Sequence, residues 1–110
     1  MIEVTIMKQA FKMHLYPNQV EEYKKRHDRL WPEMVELLKQ HGVKSYSIFW
    51  DKETNDLFAY LEIEDEALWN KVALTEINQK WWRYMQDIME TNEDCSPVSM
   101  PLRPVFDLNE

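Results

Sequence analysis

Between Tyr23 and Glu33 the chain reads Tyr-Lys-Lys-Arg-His-Asp-Arg-Leu-Trp-Pro-Glu, with a tyrosine and a histidine four residues apart. On a helix these two share one face, and that face is otherwise apolar, so both side chains point into the protein. A half-buried imidazole at His27 can titrate near neutral pH and carry a proton to or from a bound molecule. Tyr23 can orient that ring or hold a hydroxyl group, and Asp28 or Glu33 is expected to favour the imidazolium. The doublet Trp81-Trp82 adds a second kind of surface. Adjacent helical residues diverge by about 100°, so one indole belongs in the core and the other at a boundary such as a pocket rim or a dimer contact. Flat indole faces suit the C–H faces of sugars. Each of these residues also has a purely structural reading, as a satisfied core histidine or a packed indole, and residue type alone does not choose between them.

Other chemistries find little support. His14, His27 and His41 form no His-x-x-x-His or Glu-x-x-His pair, and the lone Cys95 completes no zinc pattern, so no metal site is expected. With Gly42 as the only glycine, a glycine-rich phosphate loop cannot be built, and no Gly-x-Ser-x-Gly elbow is present. A net charge of -7 and a pI near 5.0 argue against nucleic-acid binding, and the short run Lys24-Lys25-Arg26 reads as a solvated helix face. No apolar stretch approaches the roughly 20 residues needed to cross a bilayer. Cys95 cannot form an internal disulfide, and the first residues resemble no signal leader, so a cytoplasmic, non-membrane protein is expected. Cys95 reads as a bystander thiol, and Met34, Met85 and Met89 as core filler.

The elements that must position these residues are read from periodicity. Residues 7–16 alternate, with Phe11, Met13 and Leu15 on one face and Lys12, His14 and Tyr16 on the other, which predicts a strand ended by Pro17. Asn18 and Glu21 form a plausible cap pair, and Val20, Tyr23, His27, Leu30, Met34 and Leu37 recur at helical spacing. This predicts one long helix to Gln40, kinked at Pro32, with a free carbonyl near His27. Gly42 is placed to supply a left-handed helix cap. Alternation over 43–50 sets Lys44, Tyr46, Ile48 and Trp50 against Val43, Ser45, Ser47 and Phe49. After a polar turn at 51–56, Leu57, Ala59, Leu61 and Ile63 alternate with Phe58, Tyr60 and Glu62, completing a hairpin. Asp65 caps a second helical region that breaks near Leu74-Thr75 and resumes through Ile77, Trp81, Tyr84, Met85 and Ile88. Val105-Phe106-Asp107-Leu108 suits an edge strand.

The order strand, helix, strand, strand, helix, strand over a single domain of 110 residues predicts an α+β fold, the ferredoxin-like split βαβ unit. Two helices can cover only one face of such a sheet. The hairpin is apolar on both faces, so a homodimer is expected to cover the other.

Several fragments taken together, Tyr23-x-x-Arg26-His27-x-x-x-Trp31-Pro32-Glu33, Tyr46-Ser47-Ile48, Leu57-Phe58-Ala59, Trp69-Asn70, Trp81-Trp82-x-Tyr84-Met85-x-Asp87 and Ser96-Pro97-Val98, resemble the L-rhamnose mutarotases. The resemblance runs from about Ala10 to Leu108. It implies a cytoplasmic isomerase, a homodimer with a dimeric α/β barrel-like arrangement, that interconverts the α and β anomers of L-rhamnose without metal or organic cofactor. It also implies that His27 is the proton donor and that Tyr23, Tyr46, Trp81 and Trp82 bind the sugar. An apolar contact to the sugar's methyl group would discriminate against a hydroxymethyl by about 1–3 kcal/mol. Met1 to Thr5 look like a short extension ahead of the usual family start. The group that accepts the anomeric proton and the role of His14 stay open. So do two alternatives on the same fold: a cofactor-free monooxygenase or haem-degrading protein, and a non-catalytic ligand-binding dimer.

Overall fold

The computed structural model describes residues 5–109, so most of the Met1–Thr5 extension lies outside the described residues. Eight elements follow in order: β1 (Met7–His14), α1 (Val20–Asp28), α2 (Pro32–Gln40), β2 (Val43–Trp50), β3 (Asp56–Ile63), α3 (Glu66–Val72), α4 (Glu76–Met85) and β4 (Met100–Leu102). The strands form one antiparallel sheet in the order β2-β3-β1-β4, the ferredoxin-like arrangement expected from the element order.

Strand β3 shows how the period-two pattern becomes a core. Leu57, Ala59, Leu61 and Ile63 are buried on one side, and Met13 and Phe11 of β1 stand opposite Leu57 and Ala59 on that same side. Burying a leucine or isoleucine contributes about 1.5–3 kcal/mol, so a shift of one residue in register would cost the whole set. The other side carries Lys12, Phe58, Tyr60 and the exposed Phe49 and Met100, while the buried hydrophobic residues of the described helices cluster with Met13, Leu57 and Ala59 on the first side. His14 belongs to that open side, where its Nδ1 lies 3.1 Å from Asp56 Oδ1, away from the helices. A bulge between Val43 and Ser45 alters the expected phase of β2. Val43 pairs with Ile63 and so shares the helix-facing side with Tyr46 and Ile48, because the extra residue lets two neighbouring positions face the same way.

The single helix expected over 20–40 is two helices. Pro32 starts α2 rather than kinking a longer one, since its missing amide hydrogen is one that no first-turn residue uses and its φ suits that position. Trp31 before it is extended, and the Leu30 amide turns back to donate to the His27 carbonyl at 3.1 Å. The Asn18–Glu21 cap pair is also absent: Gln19 is the cap residue, without a side-chain bond, and Asn18 sits in the left-handed region at φ 64°.

Gly42 does adopt φ 80°, and a Cβ there would come within 3.3 Å of Glu64 Cβ. Asp65 and Thr75 cap α3 and α4 by accepting the amides of Leu68 and Asn78. The last strand lies earlier than expected. Residues 100–102 pair with β1, placing Pro101 opposite Phe11 on an edge where an amide donor is dispensable. Val105, Phe106 and Leu108 are exposed and lie outside any strand.

Candidate active site

Helices α1 and α4 meet above the inner face of the sheet, and one cation joins them. Arg26 Nη1 donates to Asp87 Oδ1 at 2.8 Å and to the Tyr84 carbonyl at 2.7 Å, while Nη2 donates to Asp87 Oδ2 at 3.1 Å. Its guanidinium also lies 4.5 Å from the Tyr84 ring centroid, and Nε faces Glu22 at 3.5 Å. This bidentate clamp holds Asp87 well below the usual carboxylate range. It fixes α1 against the end of α4, and the next residue along α1 is His27.

His27 is half-buried. Its Nδ1 lies 3.0 Å from the Tyr23 carbonyl, and because a carbonyl can only accept, Nδ1 carries the hydrogen. Nε2 is then the free nitrogen, and no other described residue bonds to it. His41 makes the same kind of bond, Nδ1 to the Leu37 carbonyl at 2.8 Å, but does not line the cavity described below. The back-bond fixes a tautomer; position decides what the other nitrogen can reach.

The His27 ring stacks on Tyr23, with centroids 4.2 Å apart at 26°, and meets the Trp81 ring edge-on at 5.3 Å and 89°. Burial lowers its pKa below the ordinary value of 6.5, and this outweighs both the Tyr23 backbone bond and the charge of Asp28, which act in the other direction. The expected bias toward imidazolium is therefore reversed. Asp28 is exposed and pairs with Lys24 at 2.8 Å rather than with the ring. At neutral pH His27 is a neutral base.

A broad cavity of about 1050 Å³ opens between the helices and the sheet, and its lining includes all five expected site residues: Tyr23, His27, Tyr46, Trp81 and Trp82. Tyr46, Ile48 and Trp50 reach it from β2, Trp69 from α3, and the segment around Ser96-Pro97 from the chain after α4. Tyr46 keeps 37% of its surface accessible and meets Trp69 edge-on at 6.2 Å. Desolvation pushes the Tyr46 hydroxyl up to about 12 and raises that of Tyr23 as well, so both phenols keep their protons across the physiological range. Neither hydroxyl bonds to another described residue, which leaves both available to a ligand.

The indole doublet divides as helical geometry requires. Trp81 is 7% exposed and sits in the core against Trp31, 5.0 Å away at 90°, whereas Trp82 is only partly buried on the cavity wall. Two features escaped the sequence reading. The Arg26–Asp87 clamp joins residues 61 positions apart, which periodicity cannot pair. Asn78 lies three and four residues before the two tryptophans, on the core stripe of α4, and the signal for it was that polar amide in an apolar row. Among the described residues, no three His, Cys, Asp or Glu side chains are grouped so as to hold a metal ion.

The family model described as L-rhamnose mutarotase matches residues 8–108. The chain belongs to the L-rhamnose mutarotase family. An L-rhamnose mutarotase of Enterococcus faecalis is 59% identical over 94% of this chain and 100% of its own length, and one of Oceanobacillus iheyensis is 55% identical over 93% and 98%. The crystal structure of an L-rhamnose mutarotase from Formosa agariphila superposes with a TM-score of 0.86 at 50% identity, covering 93% of this chain and 98% of that one. A putative antibiotic biosynthesis monooxygenase from Nitrosomonas europaea also superposes, at TM-score 0.63 over 96% of both chains, but at 8% identity. That second likeness bears on the fold alone, so it lends the monooxygenase alternative no chemistry, whereas the mutarotase relatives match along nearly the whole chain.

Proposed function

We propose that the cavity binds L-rhamnose and that this member of the mutarotase family interconverts the α and β anomers of the sugar, as an isomerase acting on a carbohydrate. The observation that carries this reading is His27, with Nδ1 held by a carbonyl and Nε2 unpartnered in an indole-walled cavity. Ring opening requires the anomeric hydroxyl to lose a proton and the ring oxygen to gain one. Neutral His27 takes the anomeric proton at Nε2. The C1–O1 bond then becomes the aldehyde carbonyl as the C1–O5 bond breaks, and the imidazolium returns the same proton to O5. The aldehyde rotates, and closure on its other face runs the steps in reverse. Because O1 and O5 share C1, one imidazole can serve both with a small shift, and it is the proton donor in the bond-breaking step.

Tyr23 and Tyr46 offer neutral hydroxyls to the sugar, while Trp82 and the cavity-facing edge of Trp81 pack against its carbon skeleton and methyl group. The cavity is roomier than one monosaccharide needs. We further propose a homodimer, supported by the open sheet face with Phe49 at 67% exposure and by the exposed Val105, Phe106 and Leu108. Residence in the cytoplasm is supported by the lone cysteine and by the absence, among the described residues, of a helix long and apolar enough to cross a membrane.

Saturation-transfer NMR on equilibrated L-rhamnose tests the activity. Irradiating the anomeric proton of one anomer should deplete the signal of the other when the protein is added, on a timescale where buffer alone gives no transfer. Transfer no faster than in buffer would sink the assignment.

A further inference from the structure

Several polar groups reach the cavity without a bond to another described residue, among them His27 Nε2, the two tyrosine hydroxyls and the side chain of Asn78. Asn78 differs from the tyrosines because nothing in the resemblance to the mutarotases assigns it a role. It is a buried polar residue, 5% exposed, on α4. Its backbone amide is used, donating to Thr75 Oγ1 at 3.3 Å, but its carboxamide is not. One turn later on the same stripe stand Trp81, whose ring meets His27, and Trp82 on the cavity wall.

A carboxamide offers two donors and two acceptor lone pairs, and on Asn78 these unpaired atoms keep an opening to the cavity although the residue is 5% exposed. Only a polar occupant of the cavity gives the amide a use. The amide can also donate to and accept from adjacent hydroxyls at once, as vicinal ring hydroxyls of a pyranose require.

We infer that the Asn78 carboxamide hydrogen-bonds a ring hydroxyl of the sugar, making Asn78 a specificity-determining residue that reads hydroxyl configuration and places C1 before His27. This rests on the mutarotase reading of the cavity. A site built to pair a hydroxyl rejects an analogue lacking it, because its own polar group is then left unsatisfied. The amide complements the indole walls, which distinguish sugars only by shape.

The test uses Asn78→Leu and Asn78→Ala with L-rhamnose and its 2-, 3- and 4-deoxy analogues, reading kcat/KM for anomer exchange and the thermal midpoint of each protein. The Leu variant should fold with a Tm close to that of the unmodified protein, since leucine keeps the shape of the side chain and the carboxamide it replaces makes no bond to another described residue. Its kcat/KM on L-rhamnose should fall about 10- to 100-fold. That loss should vanish on the one deoxy analogue whose missing hydroxyl Asn78 would have paired, while the other two keep it. An equal loss on all four sugars, or a loss below twofold on L-rhamnose, would overturn the inference. So would failure of both variants to fold, because the amide would then be serving the structure. If the unmodified protein itself gives no exchange above buffer, the mutarotase reading fails and this inference with it, an outcome distinct from an active protein indifferent to Asn78.

Discussion

Replacing His27 by alanine should lower kcat for anomer exchange by about 10²–10⁴-fold, the usual contribution of a positioned acid–base group. The loss should fall mainly on kcat, because Tyr23, Tyr46 and Trp82 still line the cavity and still hold the sugar. Folding should survive. His27 is only half-buried, and its removal leaves the Arg26–Asp87 clamp and the Trp81–Trp31 contact in place. Saturation-transfer NMR gives the rate and circular dichroism the fold. A folded His27→Ala protein within a few-fold of the original rate would remove His27 from the chemistry.

Trp81→Ala should act through a different quantity. Trp81 is buried and touches His27, Trp31 and Tyr84, with ring centroids 5.3, 5.0 and 5.6 Å away. Emptying such a site costs about 3–5 kcal/mol, and each aromatic contact adds to the area term. Against a total stability of about 5–15 kcal/mol, that leaves a marginal protein. A scanning calorimeter should record a drop in Tm of about 10 °C or more. Trp82→Ala, on the partly buried cavity wall, should shift Tm far less and raise KM instead. Equal destabilisation by the two substitutions would contradict the division of the doublet into a core indole and a wall indole.

The sheet was legible in the sequence because alternation is a local signal. Leu57, Ala59, Leu61 and Ile63 could face only one way, and the hairpin followed. What the sequence obscured depended on context. Pro32 inside a helical period reads equally as a kink or as a start, and the extended Trp31 before it decides for a start. The bulge at Lys44 adds a residue that alternation cannot anticipate. Val105, Phe106 and Leu108 have strand-forming side chains but pair with no described strand, while Met100–Leu102, interrupted by a proline, pair with β1.

The site shows the same division. Tyr23, His27, Tyr46 and the tryptophan doublet were identifiable as residues, and all five line one cavity. The protonation state of His27 was not legible, because a neighbouring Asp28 is visible in the sequence whereas burial is not, and burial dominates. That difference changes which form of the imidazole begins the reaction.

The central claim is that neutral His27, with its free Nε2, takes the first proton from the sugar. Its most direct test is the pH dependence of kcat/KM for L-rhamnose, corrected for spontaneous mutarotation, with the His27 ring titrated by 15N NMR in the same buffers. A base whose pKa is lowered from 6.5 by burial is mostly in its competent, neutral form at pH 7 and is lost as pH falls. Activity should therefore be level near neutrality and decline on the acid side, with its midpoint at the His27 titration. A rate that instead climbs as His27 becomes protonated would contradict the account, because the imidazolium would then be the form that starts the reaction.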